Sequence, residues 1–222
     1  MSLTEEIQAQ RQTSLKNASP GFTSLVEGML KELRDHGMGI NAPNVGDNAP
    51  DFTLPSATGG SLRLHDQLAR GPVILAFYRG GWCPYCNLQL RAYQHELTRI
   101  RELNASLLAI SPQTPDNSLD TAQKNTLAFD VVSDVGSHVA KAYGLAFKMP
   151  EELRRIYESR NINLPQYNGD DDWTLPIPAT FVVNREGKIV LRHVDVDYRT
   201  RLDPEDVIVA LRLLTAKKGV PI

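Results

Sequence analysis

The stretch Val73-Ile74-Leu75-Ala76-Phe77-Tyr78-Arg79-Gly80-Gly81-Trp82-Cys83-Pro84-Tyr85-Cys86 decides how the chain is read. Its first six residues make an almost unbroken apolar run after Gly71-Pro72, the pattern of a strand covered on both faces. Gly80-Gly81 ends that strand. Pro84 then opens a predicted helix that runs to Asn104, since proline is tolerated in a first helical turn. Cys86, Leu90, Tyr93, Leu97 and Ile100 recur at helical spacing, which puts Cys86 on the buried stripe and leaves Cys83 off it, at a glycine-rich mouth.

Outward from this stretch, strand and helix alternate. Ala105 to Ser111 and Phe129 to Ser133 are predicted strands, with a polar helix, Asp116 to Thr126, between them. A short helix, Ser137 to Tyr143, is stopped by Gly144. Met149 to Asp172 interrupts the rhythm as an insertion, helix-like from Glu151 to Ser159 and then polar up to Gly169-Asp170-Asp171-Asp172. Beyond Pro176 and Pro178, the runs Ala179 to Val183 and Lys188 to Val194 flank Asn184-Arg185-Glu186-Gly187 as a hairpin. A last helix, Pro204 to Ala216, follows Asp203 as its N-cap. Toward the N-terminus, Asp51 to Pro55 reads as a short strand and Asn41 to Pro50 as a linker. Residues 1–40 read as a helical extension outside the core, from the spacing of Leu25, Met29, Leu30 and Leu33. The organisation expected is thus an extension, 1–40, and one α/β domain, 41–222, whose mixed sheet starts parallel and carries helices on both faces.

The two cysteines hold the chemical signal. A helix mouth exposes unpaired N–H groups and the positive end of the helix dipole, which favours thiolates over thiols. Free-cysteine pKa values can fall by several units there, and the thiolate is the form that attacks peroxides and disulfides. Residues three apart on a first helical turn are also close enough to bridge, so a reversible Cys83–Cys86 couple is the expected product. A zinc site would need histidines at a matching spacing, and His36, His65, His95, His138 and His193 offer none. Inert packing suits Cys86 better than Cys83, and an unreactive relic stays open.

Composition bounds the rest. The 222 residues carry 24 basic and 26 acidic side chains, with no long block of one sign, so neither nucleic acid nor an anionic membrane is an expected partner. No apolar run approaches the roughly 20 residues needed to span a bilayer. Residues 1–12 hold Glu5, Glu6 and three glutamines where a secretory leader would be apolar, so a cytoplasmic location is expected. Gly80-Gly81 has neither the spacing nor the lysine of a phosphate loop, and Asp170 to Asp172 reads as a solvated charge run.

The quoted stretch resembles the Trp-Cys-x-x-Cys motif of thioredoxin-like proteins in the setting of the peroxiredoxin family (alkyl hydroperoxide reductase / thiol-specific antioxidant). Val45-Gly46-Asp47-Asn48-Ala49-Pro50-Asp51-Phe52 is similar to the family's entry, Ser133-Asp134 through Ala140-Lys141-Ala142-Tyr143-Gly144 to its central helix, and Ile177-Pro178-Ala179-Thr180-Phe181 to its hairpin. The likeness covers residues 45 to about 215 and implies a thioredoxin-like fold. It puts Cys86 on the peroxidatic cysteine and Cys83 where the family carries a threonine, while Arg79 replaces a proline. It also implies an active-site arginine, for which Arg201 or Arg199 is placed, and a cis bond before Pro178 facing the thiols. Trp82 is expected either to shield the thiols or to pack beside the strand.

The activity implied is a thiol-dependent peroxidase acting on hydrogen peroxide or alkyl hydroperoxides. It would need no metal or organic cofactor, and thioredoxin or a similar dithiol would recycle it. Thioredoxin logic instead makes Cys83 the exposed nucleophile. A thiol–disulfide oxidoreductase is therefore the second reading, and a redox-sensing module that contacts a partner through the insertion is the third. Assembly is left open between monomer and homodimer.

Overall fold

The computed structural model describes residues 2–216. Its helices and strands run in the order α1 (Leu3–Asn17), α2 (Pro20–Asp35), β1 (Thr53–Pro55), β2 (Ser61–Arg63), α3 (Leu64–Leu68), β3 (Val73–Phe77), α4 (Pro84–Glu102), β4 (Ser106–Ser111), α5 (Pro115–Lys124), β5 (Asp130–Ser133), α6 (His138–Ala142), β6 (Ala146–Lys148), α7 (Glu151–Ser159), α8 (Leu164–Asn168), β7 (Thr174–Pro176), β8 (Ala179–Val183), β9 (Ile189–Val194) and α9 (Pro204–Ala216). Five strands form the central sheet in the order β5-β4-β3-β8-β9. β3 pairs parallel with β4, and β4 with β5. β8 runs antiparallel to both β3 and β9. The expected mixed sheet is present, and β3 at its centre is buried at all five positions.

The two faces of the sheet follow from the pleat, which sends alternate side chains to opposite sides. Ile74 and Ala76 of β3 face Tyr93 and Ile100 of α4 and Val207, Ile208 and Leu211 of α9. Val73, Leu75 and Phe77 point the other way, into the larger cluster that holds Val26, Met29 and Leu30 of α2 and Leu153 and Tyr157 of α7. The N-terminal helices therefore pack on the sheet's own core. Leu3 and Ile7 of α1 lie with Tyr85 and Leu90 of α4.

The predicted hairpin is closed by Gly187 at φ +77°, whose N–H donates to the Asn184 carbonyl at 3.0 Å. Asp203 caps α9, with its Oδ1 accepting from the Glu205 N–H at 3.1 Å. Besides β2 and α3, three short elements around the insertion had no sequence signal long enough to show. β6 and β7 form an antiparallel pair, Ala146↔Pro176 to Lys148↔Thr174, that closes the ends of the insertion. The third is α8, held by Asn163 at its N-cap and Gly169 past its end. With three to five residues apiece they are too short for a periodicity to register, and a proline ends β7.

Candidate active site

Between β3 and α4 the chain turns through Gly80 at φ +147°, and a Cβ there would come within 2.3 Å of the Trp82 indole nitrogen. A Cβ on Gly81 would come within 2.2 Å of the Thr121 hydroxyl, so both positions are glycine because other groups pack against the backbone. Amide side chains from three places pin the loop. The Gly81 N–H donates to Gln113 Oε1 at 2.8 Å, Asn87 Nδ2 donates to the Gly81 carbonyl at 2.8 Å, and Asn125 Nδ2 donates to Asn87 Oδ1 at 3.1 Å. Cys83 is the N-cap of α4, with Pro84 next to it, and its carbonyl accepts the N–H groups of Cys86 and Asn87 at 3.1 Å each. Both cysteines are unbridged and buried.

The electrostatics of the two sulfurs diverge. Burial by itself pushes the Cys86 thiol up. A hydrogen bond from Cys83, the Arg201 charge, the Arg79 backbone N–H and the Arg79 guanidinium outweigh it and bring Cys86 down to about 5. Arg201 Nη2 donates to Cys86 Sγ at 3.5 Å. The Arg201 fork is held in turn by the carbonyls of Tyr198 and Thr200. The same sulfur–sulfur hydrogen bond, together with burial, holds Cys83 well above the ordinary thiol range. The two shifts run in opposite directions, which favours the thiolate on Cys86 and the proton on Cys83.

Arg79 is the second cation. It is 1% exposed, and its Nη2 donates to the Tyr157 hydroxyl at 2.8 Å. Its guanidinium lies over the rings of Tyr198 and Trp82, at 4.2 and 5.0 Å from their centroids. Trp82 in turn meets Tyr157 edge-on at 5.5 Å. A cavity of about 250 Å³ opens on this side, with Cys83, Arg79 and Trp82 in its inner wall and Gln10, Thr13 and Phe22 of the N-terminal helices opposite. Cys86 does not reach it.

With this geometry in place, residues 45–192 match the profile of the AhpC/TSA family. The chain belongs to that family. It is 24% identical over 161 residues to peroxiredoxin Bcp of Escherichia coli K12, covering 72% of this chain and 90% of the relative. It is 29% identical over 162 residues to the chloroplastic peroxiredoxin Q of Populus jackii, covering 73% and 63%. Among solved structures, peroxidoxin BcpB of Mycobacterium tuberculosis superposes with a TM-score of 0.61 at 22% identity, covering 78% of this chain and 98% of that one.

Within this AhpC/TSA chain the structure brings together Cys83, Cys86, Trp82 and Arg201, four of the side chains singled out from the sequence. It also separates the two candidate arginines. Arg199 is engaged elsewhere, with Asp197 through Nε at 2.7 Å and with Glu27 at 2.8 Å, whereas Arg201 turns to the sulfur. One expectation is corrected. The bond before Pro178 is trans, as no peptide bond is cis among the described residues. Only Ile177 and Pro178 separate β7 from β8, and extended backbone before a proline suits so short a link. Pro178 sits one position beyond the Phe77↔Ala179 pair, and no hydrogen bond joins it to the thiols.

Sequence reasoning passed over Arg79, taken only as a missing proline, and also Tyr157 and Tyr198. The single signal for Tyr157 was its i, i+4 pairing with Leu153 on one face of a short helix. Tyr198 carried none.

Proposed function

We propose that the chain is a thiol-dependent peroxidase in which Cys86 attacks and Cys83 resolves. One observation carries the reading: the Arg201 guanidinium donates to Cys86 Sγ at 3.5 Å, with Cys83 three residues away at the N-cap of the same helix. The Cys86 thiolate attacks the terminal oxygen of a hydroperoxide. The S–O bond forms as the O–O bond breaks, and the sulfur loses two electrons to the departing alkoxide or hydroxide, which takes up the Cys83 proton. Cys83, now a thiolate, displaces hydroxide from the sulfenic acid. This closes the disulfide and, after protonation, releases water. Arg201 and the Arg79 N–H steady the negative charge before and during the first step. Trp82 acts indirectly, by holding the Arg79 guanidinium against its ring.

A dithiol of the thioredoxin kind reduces the disulfide in this reading. Cys83 forms part of the cavity wall, so it is the sulfur that the reductant reaches, and Cys86 leaves as a stabilised thiolate. A couple recycled in this way suits a reducing compartment, and we place it in the cytoplasm.

Rapid mixing of the reduced protein with hydrogen peroxide tests the scheme. Cys83→Ser should still consume one equivalent and accumulate sulfenic acid at Cys86, and Cys86→Ser should not react. Peroxide turnover that survives Cys86→Ser overturns the assignment. The second reading, a thiol–disulfide oxidoreductase, draws on the same placement of Cys83 at the cavity. It predicts reduction of insulin disulfides with no fast peroxide step.

A further inference from the structure

Three arginines are buried among the described residues: Arg79, Arg199 and Arg201. Arg199 is neutralised by Asp197 and Glu27. Arg79 and Arg201 pair with no carboxylate among the described residues, and each keeps a buried Nε without an acceptor. A buried guanidinium without a counter-ion is costly unless an anion forms beside it. The groups here that can become anions are the two sulfurs.

Arg201 lies against Cys86. Arg79 belongs to the other sulfur by position. It precedes Cys83 by four residues across the Gly80-Gly81 turn, and both side chains form the wall of the 250 Å³ cavity that Cys86 does not reach. Its guanidinium is fixed from three sides, by the Tyr157 hydroxyl at 2.8 Å and by the rings of Tyr198 and Trp82 at 4.2 and 5.0 Å. Such a cage holds a cation in place without neutralising it. In the reduced pair the hydrogen bond with Cys86 and burial hold Cys83 up, and of the two cations that oppose them Arg79 acts on Cys83 more than Arg201 does. At Cys86 the order of the two charges is reversed.

We propose that Arg79 is a positioning residue for the second half of the cycle: its guanidinium is the counter-ion of Cys83 when that sulfur, as a thiolate, displaces hydroxide from the sulfenic acid. The inference rests on the peroxidase reading. Oxidation makes Cys86 a neutral sulfenic acid and takes the proton from Cys83, so the negative charge passes from the Arg201 side to the Arg79 side. The S–S bond then forms as the S–O bond breaks. The same cation serves recycling. After one thiolate of the reducing dithiol has attacked Cys83 and Cys86 has left, the second thiolate attacks the reductant's own bridged sulfur. The reductant becomes a disulfide, and Cys83 leaves as a thiolate against Arg79, which a stabilised leaving group does faster.

Two single-cysteine proteins read the two charges separately, each titrated by the ultraviolet absorbance of its thiolate. In Cys86→Ser, Cys83 should ionise below the ordinary thiol value of about 8.5 although it is buried. Adding Arg79→Gln should raise it by about 1 to 3, and adding Arg201→Gln should raise it less. In Cys83→Ser the order of the two arginine variants should reverse. With both cysteines present, Arg79→Gln should move the pH profile of disulfide closure upward by the same amount, followed as loss of sulfenic acid after a peroxide pulse, and Arg79→Lys should restore most of it. An ionisation of Cys83 at or above the ordinary value in Cys86→Ser overturns the proposal, whether or not the Arg79 variants fold. So does an Arg79→Gln shift no larger at Cys83 than at Cys86. Either result leaves the peroxidase reading in place, whereas peroxide turnover that survives Cys86→Ser removes that reading and this inference with it.

Discussion

The two sides of the thiol pair are built from different parts of the molecule. Behind Cys86 stand the end of β3, the first turn of α4 and the Arg201 fork, set among the most buried residues of the sheet. In front of Cys83 stand α1, α2, α7 and Tyr198, gathered from segments outside the family match or within its insertion. The inner side sets the charge state of the reacting sulfur. The outer side walls the cavity beside Cys83. The difference teaches that reactivity and access are separable here, and substitutions should separate them.

The largest effect is expected at the inner side. Replacing Arg201 with Gln removes the nearest cation and should raise the Cys86 pKa by about 1 to 3. Peroxide oxidation at pH 6 would then slow by between about twofold and about ninetyfold across that range, read from the pH profile of the rapid reaction. Arg199→Gln should leave that profile in place, because its guanidinium is committed to Asp197 and Glu27. Equal slowing by the two variants would break the comparison.

The acid limb of the unmodified enzyme comes next. Cys86 is held at about 5, so the rate should be flat near neutrality and fall as pH drops through that value. Stability has the same sign. Between about 5 and the ordinary thiol value of about 8.5, the unfolded chain binds a proton at this position that the folded chain does not. The thiolate's contribution is therefore present above the unfolded thiol's pKa and is lost as pH falls toward the folded one. The difference in urea midpoint between the parent and Cys86→Ser should accordingly shrink from pH 8 to pH 5.

On the outer side the effects are smaller and structural. Tyr157→Phe takes the acceptor from Arg79 Nη2 and leaves a buried guanidinium N–H unpaired, a cost of about 1–3 kcal/mol in a denaturant melt. The Cys86 titration should move little by comparison. Smallest of all, Glu27→Gln breaks a half-exposed pair with Arg199 and should cost no more than about 1 kcal/mol. A larger loss would mean that α2 is tied to the site more tightly than its packing implies.

Legibility in the sequence follows the same division. The Val73-to-Cys86 stretch, the Asn184-to-Gly187 hairpin and the Asp203 cap each carry a local rule, and each element forms where that rule puts it. Arg201 could be named but not separated from Arg199, because two residues of spacing in an irregular segment do not say which side chain turns inward. Arg79 was hidden in another way. As a charged residue after an apolar strand it reads as a surface position, and only the rings of Tyr157 and Tyr198, brought from distant places, together with the neighbouring Trp82 make its burial tolerable.

From the sequence alone came the alternating α/β pattern, the central buried strand and a thiol pair at a helix mouth, because periodicity, glycine turns and proline position act over a few neighbouring residues. Tertiary structure alone decided which arginine lies against Cys86, that the bond before Pro178 is trans and that the N-terminal helices wall the cavity beside Cys83. Those outcomes depend on contacts between residues 78 to 172 positions apart, and no local rule reaches that far.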